Sequence, residues 1–194
     1  LYSIGPERSS QRNFGVSKSN GNYVFIIDSD MELADDVVRN CLEVINEDNA
    51  VGVIVPEESF GKGFWAQCKK LERSFYVGQD NIEAARFFLK SIYTEVGGYD
   101  VNMVSGEDWD LSNRVKARCE LKRIRSFIYH NEGKISLLKT LKKKYYYSKM
   151  AKFYIQKYNL SNDSSKVFEV INRFSLFFSD PIKLFRNPFF GLGM

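Results

Sequence analysis

Five apolar residues in a row, Tyr23, Val24, Phe25, Ile26 and Ile27, run directly into Asp28-Ser29-Asp30. A run that short, β-branched and aromatic, with no polar alternation, predicts a strand covered on both faces. From Leu33 the period changes. Leu33, Val37, Cys41, Leu42 and Ile45 recur at helical spacing, with Asp35 and Asp36 placed for the first turn. Residues 51–55 form a second apolar run, stopped by Pro56. Strand, helix and strand over about thirty residues is a βαβ unit, so the front of the chain is α/β.

The remaining pattern fills in around that unit. Arg12, Asn13 and Val16 fit a short helix ending near Gly21. Residues 58–63, with two glycines, read as a loop and residues 64–77 as a helix. Residues 85–89 read as a strand, and 91–96 as a short helix stopped by Gly97-Gly98. Residues 108–117 fit a helix and 121–130 one or two short strands. Residues 134–158 form a long, basic, aromatic-laced helical stretch, and a second amphipathic segment follows Leu160. There is no internal repeat and no low-complexity linker.

Composition narrows the function classes. The 194 residues suffice for one domain with a core, and 44% hydrophobic against 27% charged residues is an ordinary globular balance. Cys41, Cys68 and Cys119 are odd in number, widely spaced and without a CxxC pair. That argues against zinc and against a disulfide framework, and points to a reducing, cytoplasmic setting. No apolar run reaches the roughly 18 residues that a membrane-spanning helix needs. Leu1-Tyr2-Ser3 has no basic and apolar leader pattern. The start without Met, in a turn-like Ser3-Ile4-Gly5-Pro6, reads as a fragment.

Three places carry chemistry. Residues i and i+2 of an extended chain project to one side, so Asp28 and Asp30 are expected together at the carboxyl end of a buried strand. Open α/β sheets place ligands there. Two neighbouring carboxylates repel unless a cation joins them, and hard oxygen ligands suit Mg²⁺ or Mn²⁺. The same acids would also serve to cap the helix that follows. Gly106-Glu107-Asp108-Trp109-Asp110-Leu111 sets three acids around a Trp at a helix start. A carboxylate there is stabilised as an anion and can take a proton from a hydroxyl. Trp109 offers a flat apolar face for a sugar ring, or else a core residue behind a capping cluster. His130, the one histidine, follows Phe127-Ile128-Tyr129 at a strand end. It is a candidate metal ligand through a neutral ring nitrogen, against a purely structural role.

The stretch from residue 134 to 161 has no acid, while Lys139, Lys142, Lys143, Lys144, Lys149, Lys152 and Lys157 alternate with Leu137, Leu138, Leu141, Tyr145, Met150, Phe153 and Tyr154. A lysine-rich helix with an aromatic face suits an anionic membrane surface. It would equally suit nucleic acid, or a solvated helix packing its aromatics on the domain.

The ordered set of motifs resembles the family 2 glycosyltransferases of the GT-A fold. Ser10-Gln11-Arg12-Asn13-Phe14-Gly15 is similar to the family's Ala-Arg-Asn-x-Gly segment, and Gly21-Asn22-Tyr23 through Asp28-Ser29-Asp30 to its Asp-x-Asp metal motif. Glu95-Val96-Gly97-Gly98-Tyr99-Asp100 is similar to its Gly-Gly-aromatic-Asp stretch near the acceptor. The Gly106 to Leu111 segment is similar to its Glu-Asp motif. The resemblance covers residues 9–133. It implies a partial mixed sheet of GT-A-like (Rossmann-like) type flanked by helices, with residues 1–133 catalytic and 134–194 a basic helical extension.

By that resemblance Asp28 and Asp30, with His130 as third ligand, would hold Mn²⁺ or Mg²⁺ and the donor's diphosphate. Asp108 would be the base, with Glu107 beside it contacting acceptor or donor. Arg12 and Asn13 would lie near the nucleotide, Gly98 and Trp109 near the substrates. The implied partners are a nucleotide-sugar donor and a glycan or lipid-linked acceptor, with peripheral contact at the cytoplasmic face of a membrane and no nucleic acid. The implied reaction inverts the anomeric centre. The family's opening strands, which carry most of the nucleotide pocket, do not precede Leu1.

Two other classes share some of these features. In haloacid-dehalogenase-like phosphatases Asp28 would be a nucleophile and Asp30 an acid, but Glu32 stands where Thr or Val is usual, and the Glu107-Asp108-Trp109-Asp110 segment has no role. A non-catalytic basic module for lipid or nucleic acid would leave both carboxylate sites idle.

Overall fold

The computed structural model describes residues 7–158 and 175–194. The turn-like opening and the first part of the segment after Leu160 lie outside the described residues. The first sheet has the order β1-β5-β3-β6, from β1 (Tyr23–Phe25), β3 (Gly52–Ile54), β5 (Ala85–Leu89) and β6 (Leu121–Arg123). A second sheet has the order β2-β7-β4, from β2 (Met31–Leu33), β4 (Glu57–Lys62) and β7 (Ile128–Lys134). Both are mixed. β5 runs antiparallel to β1 and β3, while β6 is parallel to β3; β7 is antiparallel to β2 and parallel to β4.

Alternation along the strands of the first sheet explains its layers. On β5, Phe88 enters one core cluster and Phe87 the other; on β3, Ile54 and Val53 divide the same way. One cluster joins the sheet to α1 (Arg8–Lys18), α4 (Lys90–Glu95) and α5 (Glu107–Lys116), through Val16, Tyr93, Leu111 and Val115. The other joins it to α2 (Val37–Asp48) through Val37, Cys41 and Ile45, and to β7 through Ile128. A sheet with apolar side chains on both faces has to be covered on both, and it is.

Four expectations need correction. The strand–helix–strand unit exists, and β1 and β3 run the same way, but β5 lies between them rather than the two being neighbours. Hydrophobic period gives a strand and not its partner. Leu33 does not open a helix. It closes β2 opposite Ile128, and α2 begins only at Val37; Leu33 still packs on the α2 cluster, which is why it fitted the period. Residues 58–63 form no loop but most of β4, a half-exposed strand whose charged residues obscure it. The ladder of the first strand stops at Phe25, although the Ile26 N–H still reaches the Arg86 carbonyl at 2.9 Å.

The basic stretch is helical as α6 (Leu137–Met150) and α7 (Lys152–Lys157), divided at Ala151. Both lean on the α/β layers. Arg8 lies 5.5 Å from the Tyr147 ring, Tyr154 packs on Trp109 at 6.0 Å, and Lys157 reaches Asp100 at 3.0 Å and Asp110 at 2.7 Å. α3 (Phe64–Ser74) carries α8 (Pro181–Arg186) and α9 (Pro188–Leu192): Phe64 meets Phe190, and Lys183 lies over the Phe75 ring. Among the described residues no helix is long and apolar enough to cross a membrane.

Candidate active site

Arg12 is the hub. α1 delivers its guanidinium to Asp28 Oδ1 at 2.7 Å and Asp108 Oδ1 at 2.9 Å, stacked 5.0 Å over the Tyr99 ring. Burial opposes its charge, but Asp108, Tyr99 and Asp28 outweigh that and raise its pKa, so the cation is permanent. One guanidinium thus joins the acid at the end of β1 to the acid at the start of α5, 80 residues apart in sequence (108 − 28).

Asp28 and Asp30 do not project together. The Met31 N–H bonds the Asp28 carbonyl at 3.1 Å, so residues 28–31 turn, and the side-by-side geometry of an extended chain is lost. Asp28 faces Arg12 and, at 3.9 Å, Arg86. Burial would lift its carboxyl, but the Arg12 hydrogen bond and the charges of Arg12, Arg86 and Arg8 hold it below the usual range. Asp30 faces His130 instead, at 3.3 Å from Nε2. The antiparallel register that sets Met31 opposite His130 makes this pairing.

His130 is also held from behind. Its Nδ1 lies 3.0 Å from an Arg73 nitrogen and 3.6 Å from Glu57 Oε2. Arg73 can only donate, so the 3.0 Å contact makes Nδ1 an acceptor and leaves the proton on Nε2, toward Asp30. Nε2 becomes a ligand atom only in the other tautomer, which would cost the Arg73 contact at Nδ1. The interaction with Glu57 raises the His130 pKa against burial. Burial would lift Glu57, yet His130, Arg86 and Arg73 bring it down to about 2. Among the described residues no three or more His, Cys, Asp or Glu side chains group as a metal cage.

At the start of α5 the two neighbouring acids differ. Glu107 is buried and paired with Arg8 at 2.7 Å; burial and the adjacent Asp108 raise its pKa. Asp108 receives Arg12 and the Tyr99 hydroxyl, each at 2.9 Å, both on Oδ1. Its Oδ2 takes no hydrogen bond among the described residues. That is the arrangement of an oriented carboxylate with one oxygen to spare.

The other expected site residues build the frame. The Asn13 amide donates to the Tyr99 carbonyl at 2.8 Å, while its oxygen accepts from the Tyr99 N–H at 2.8 Å and the Tyr93 hydroxyl at 2.7 Å. Gly98, at φ +63°, leaves no room for a Cβ, which would stand 2.6 Å from the Asn13 oxygen. Both residues therefore fix the turn that presents Tyr99. The Trp109 indole donates to the Ile82 carbonyl at 2.7 Å, and its ring is half-buried on Tyr154.

A cavity of about 460 Å³ opens beside Asp108, Glu107 and Trp109. Its other walls include Glu57, Arg73 and Arg86, with Lys143, Lys144 and Tyr147 from α6. Arg86 meets Glu57 Oε1 at 2.6 Å, yet its Nη1 is the one buried side-chain donor without a hydrogen bond among the described residues. Neither Asp30 nor His130 lines this cavity. They lie behind the Glu57–Arg73–Arg86 network.

Residues 6–100 match the family described as glycosyl transferase family 2. That match supports a family 2 glycosyltransferase-like domain. No curated protein matches it. The matched region holds Arg12, Asn13, Asp28, Asp30 and Gly98, while Glu107, Asp108, Trp109 and His130 follow it. Two mixed sheets flanked by helices are consistent with a GT-A-like domain. The match supports glycosyl transfer, which in that family joins a nucleotide-sugar donor and an acceptor. Sequence reasoning missed Arg86 and Glu57 as parts of this candidate site, and had Tyr99 only as a member of the Gly97-Gly98-Tyr99-Asp100 stretch. Arg86 had a readable signal: a charge inside the apolar run of β5 has to be paired.

Proposed function

We propose that this domain transfers a hexosyl-type sugar from a nucleotide-diphosphate sugar to a hydroxyl of a glycan or lipid-linked acceptor, with inversion. The acceptor would occupy the cavity at Asp108. Asp108 Oδ2 takes the hydroxyl proton as the acceptor oxygen bonds the anomeric carbon; the bond to the diphosphate breaks, and its electron pair leaves on the diphosphate. Arg12 and Tyr99 hold Asp108 in place through Oδ1, and Trp109 forms a wall. The donor's diphosphate would lie at Asp28 and Asp30, where Arg86 Nη1 has an N–H to offer. The observation that carries this reading is the Arg12 bridge, which ties a phosphate-side acid to a base candidate with a free oxygen.

Asp30 and the Nε2 of His130, with Asp28 near the diphosphate, suit Mn²⁺ or Mg²⁺, ions that take few protein ligands and complete their shell with phosphate oxygens and water. Such an ion, when bound, stabilises negative charge on the leaving diphosphate. In this reading residues 1–133 are catalytic and 134–194 a basic helical extension, at the cytoplasmic face of a membrane.

Two variants of the full-length protein test it. Titration calorimetry with UDP and GDP is expected to show binding that requires Mn²⁺ and weakens at least about tenfold in Asp30→Asn, the loss of a ligand or its partner. Binding indifferent to the metal overturns the donor site. Asp108→Asn is expected to abolish transfer with donor affinity unchanged, and turnover surviving that change places the base elsewhere.

A further inference from the structure

The carboxyl-terminal helices are apolar on two faces, and only one is used. Phe177, Leu184 and Phe190 face inward: Phe177 packs on Phe75 at 5.7 Å, and Phe190 on Phe64 at 5.7 Å. The outward face carries Phe178, Ile182, Phe185, Phe189 and Leu192, at successive spacings of 4, 3, 4 and 3 residues, each between 63% and 90% exposed. Scattered apolar residues on a surface are ordinary; five exposed within fifteen residues, Phe178 ahead of α8, Ile182 and Phe185 on α8, and Phe189 and Leu192 on α9, are not. Phe64 on α3, beside the inward-facing Phe190, keeps 44% exposure.

Charge narrows what covers that face. Arg186 is exposed beside it, and Lys183 spends its ammonium on the Phe75 ring and the Ser74 carbonyl. α6 exposes Leu138, Lys142, Tyr145 and Lys149 along one face, without any acid. Lys143, Lys144 and Tyr147 of α6 share a cavity wall with Lys69, Glu72 and Arg73 of α3, and Phe190 of α9 packs on Phe64 of α3, so α6 and the carboxyl-terminal helices border the same helix. Large apolar side chains with lysine and arginine nearby match an anionic lipid surface; Asp180, the one acid among residues 175–194, is engaged as the cap of α8 through the Lys183 N–H and lies 3.9 Å from the Lys183 ammonium.

We infer that α8 and α9 seat this protein on an anionic bilayer, with Phe178, Ile182, Phe185, Phe189 and Leu192 entering the boundary between headgroups and acyl chains. The lysines of α6 add long-range attraction. α3 lies between the seated helices and the cavity, since Lys69, Glu72, Arg73 and Tyr76 line that cavity. A lipid-linked acceptor would then meet Asp108 without leaving the surface. That last clause rests on the proposed function; the membrane seat does not.

Flotation of the full-length protein with vesicles tests the seat. Binding to phosphatidylcholine–phosphatidylglycerol vesicles is expected, and much less to phosphatidylcholine alone. Phe185→Ser/Phe189→Ser is expected to weaken binding at least about tenfold, because two large side chains leave the boundary. Phe178→Ser/Ile182→Ser gives an independent second pair. All four residues are exposed, so circular dichroism should stay unchanged. Lys142→Glu/Lys149→Glu should weaken binding to anionic vesicles only. Binding untouched by either apolar pair overturns the inference, as does equal binding to neutral vesicles. A dimer in sedimentation that the apolar pairs dissociate would assign the face to a second copy and also overturn it. Failure of nucleotide binding, with vesicle binding intact, would strike the catalytic reading alone.

Discussion

Replacing Arg12 with alanine probes the centre of the site. The change deletes hydrogen bonds of 2.7 Å to Asp28 and 2.9 Å to Asp108, and a cation stacked on Tyr99. Hydrogen bonds to charged groups contribute about 1.5–3 kcal/mol each, so the two together amount to about 3–6 kcal/mol. Water can answer part of the loss, because Asp28 and Asp108 keep 29% and 27% side-chain exposure. Discounting for that leaves about 2–4 kcal/mol. At about 2–4 °C per kcal/mol for a domain of this size, the melting midpoint should fall by roughly 10 °C. Scanning calorimetry of the variant beside Arg118→Ala supplies the control. Arg118 pairs with Glu95 at a surface where both side chains are more than half exposed, so its loss should cost at most about 1 kcal/mol. If Arg12→Ala melts no lower than Arg118→Ala, the bridge contributes no stability and its place at the centre of the site is wrong.

Gly98→Ala should destabilise by about 2–4 kcal/mol, from a left-handed backbone and a Cβ pressed on the Asn13 oxygen; chemical denaturation measures it, and a change under about 0.5 kcal/mol refutes the tight turn. Cys41 is buried, with its thiol pushed up to about 12, and Cys68 is also buried, whereas Cys119 is partly open. An aromatic disulfide reagent at pH 8 should therefore titrate one thiol quickly in the native protein and three in denaturant; rapid reaction of all three would show that the α2 and α3 cores are open. Asp100 and Lys157 clasp α7 to the α/β layers. Burial opposes both charges, but their contact with each other, and that of Lys157 with Asp110, wins, lowering the Asp100 pKa from 3.8 and raising that of Lys157 from 10.5. The acid's contribution is present above its unfolded value and lost as pH falls through the lower folded one; the amine's is present below 10.5 and lost as pH rises through the higher folded one. The near-ultraviolet dichroism of Trp109 against Tyr154 should hold steady between these limits and fall outside them, and a signal flat to pH 2 would refute the clasp.

The central layers were legible because continuous apolar runs such as Val51 to Val55 have few places to go but a covered strand. The second sheet was not. β4 is charged at Glu57, Glu58 and Lys62 and half-exposed, so nothing in its composition separates it from a loop; its partner β7 lies about seventy residues on, and pairing at that range leaves no local trace. The acids of the site were legible as acids, and their companions were not. Glu57 is an ordinary glutamate until Arg73, Arg86 and His130 converge on it from three different elements. Asp28-Ser29-Asp30 misled in geometry because the i, i+2 rule holds only while the chain stays extended, and a backbone bond from Met31 to Asp28 ends that after Asp28.

The balance of charge ties these companions to the proposed reaction. Five carboxylates, Asp28, Asp30, Glu57, Glu107 and Asp108, interleave with four guanidiniums, Arg8, Arg12, Arg73 and Arg86. Each guanidinium already answers at least one acid, so none of the four is in surplus for a diphosphate at Asp28 and Asp30. A donor placed at Asp28 and Asp30 would meet repulsion unless a divalent cation came with it, or unless Arg12 let go of Asp28 to face the phosphates. Letting go would leave Arg12 with Asp108 alone. Donor arrival and the setting of the base would then be coupled through one side chain, and the buried, unbonded Nη1 of Arg86 would be the donor left in reserve beside them.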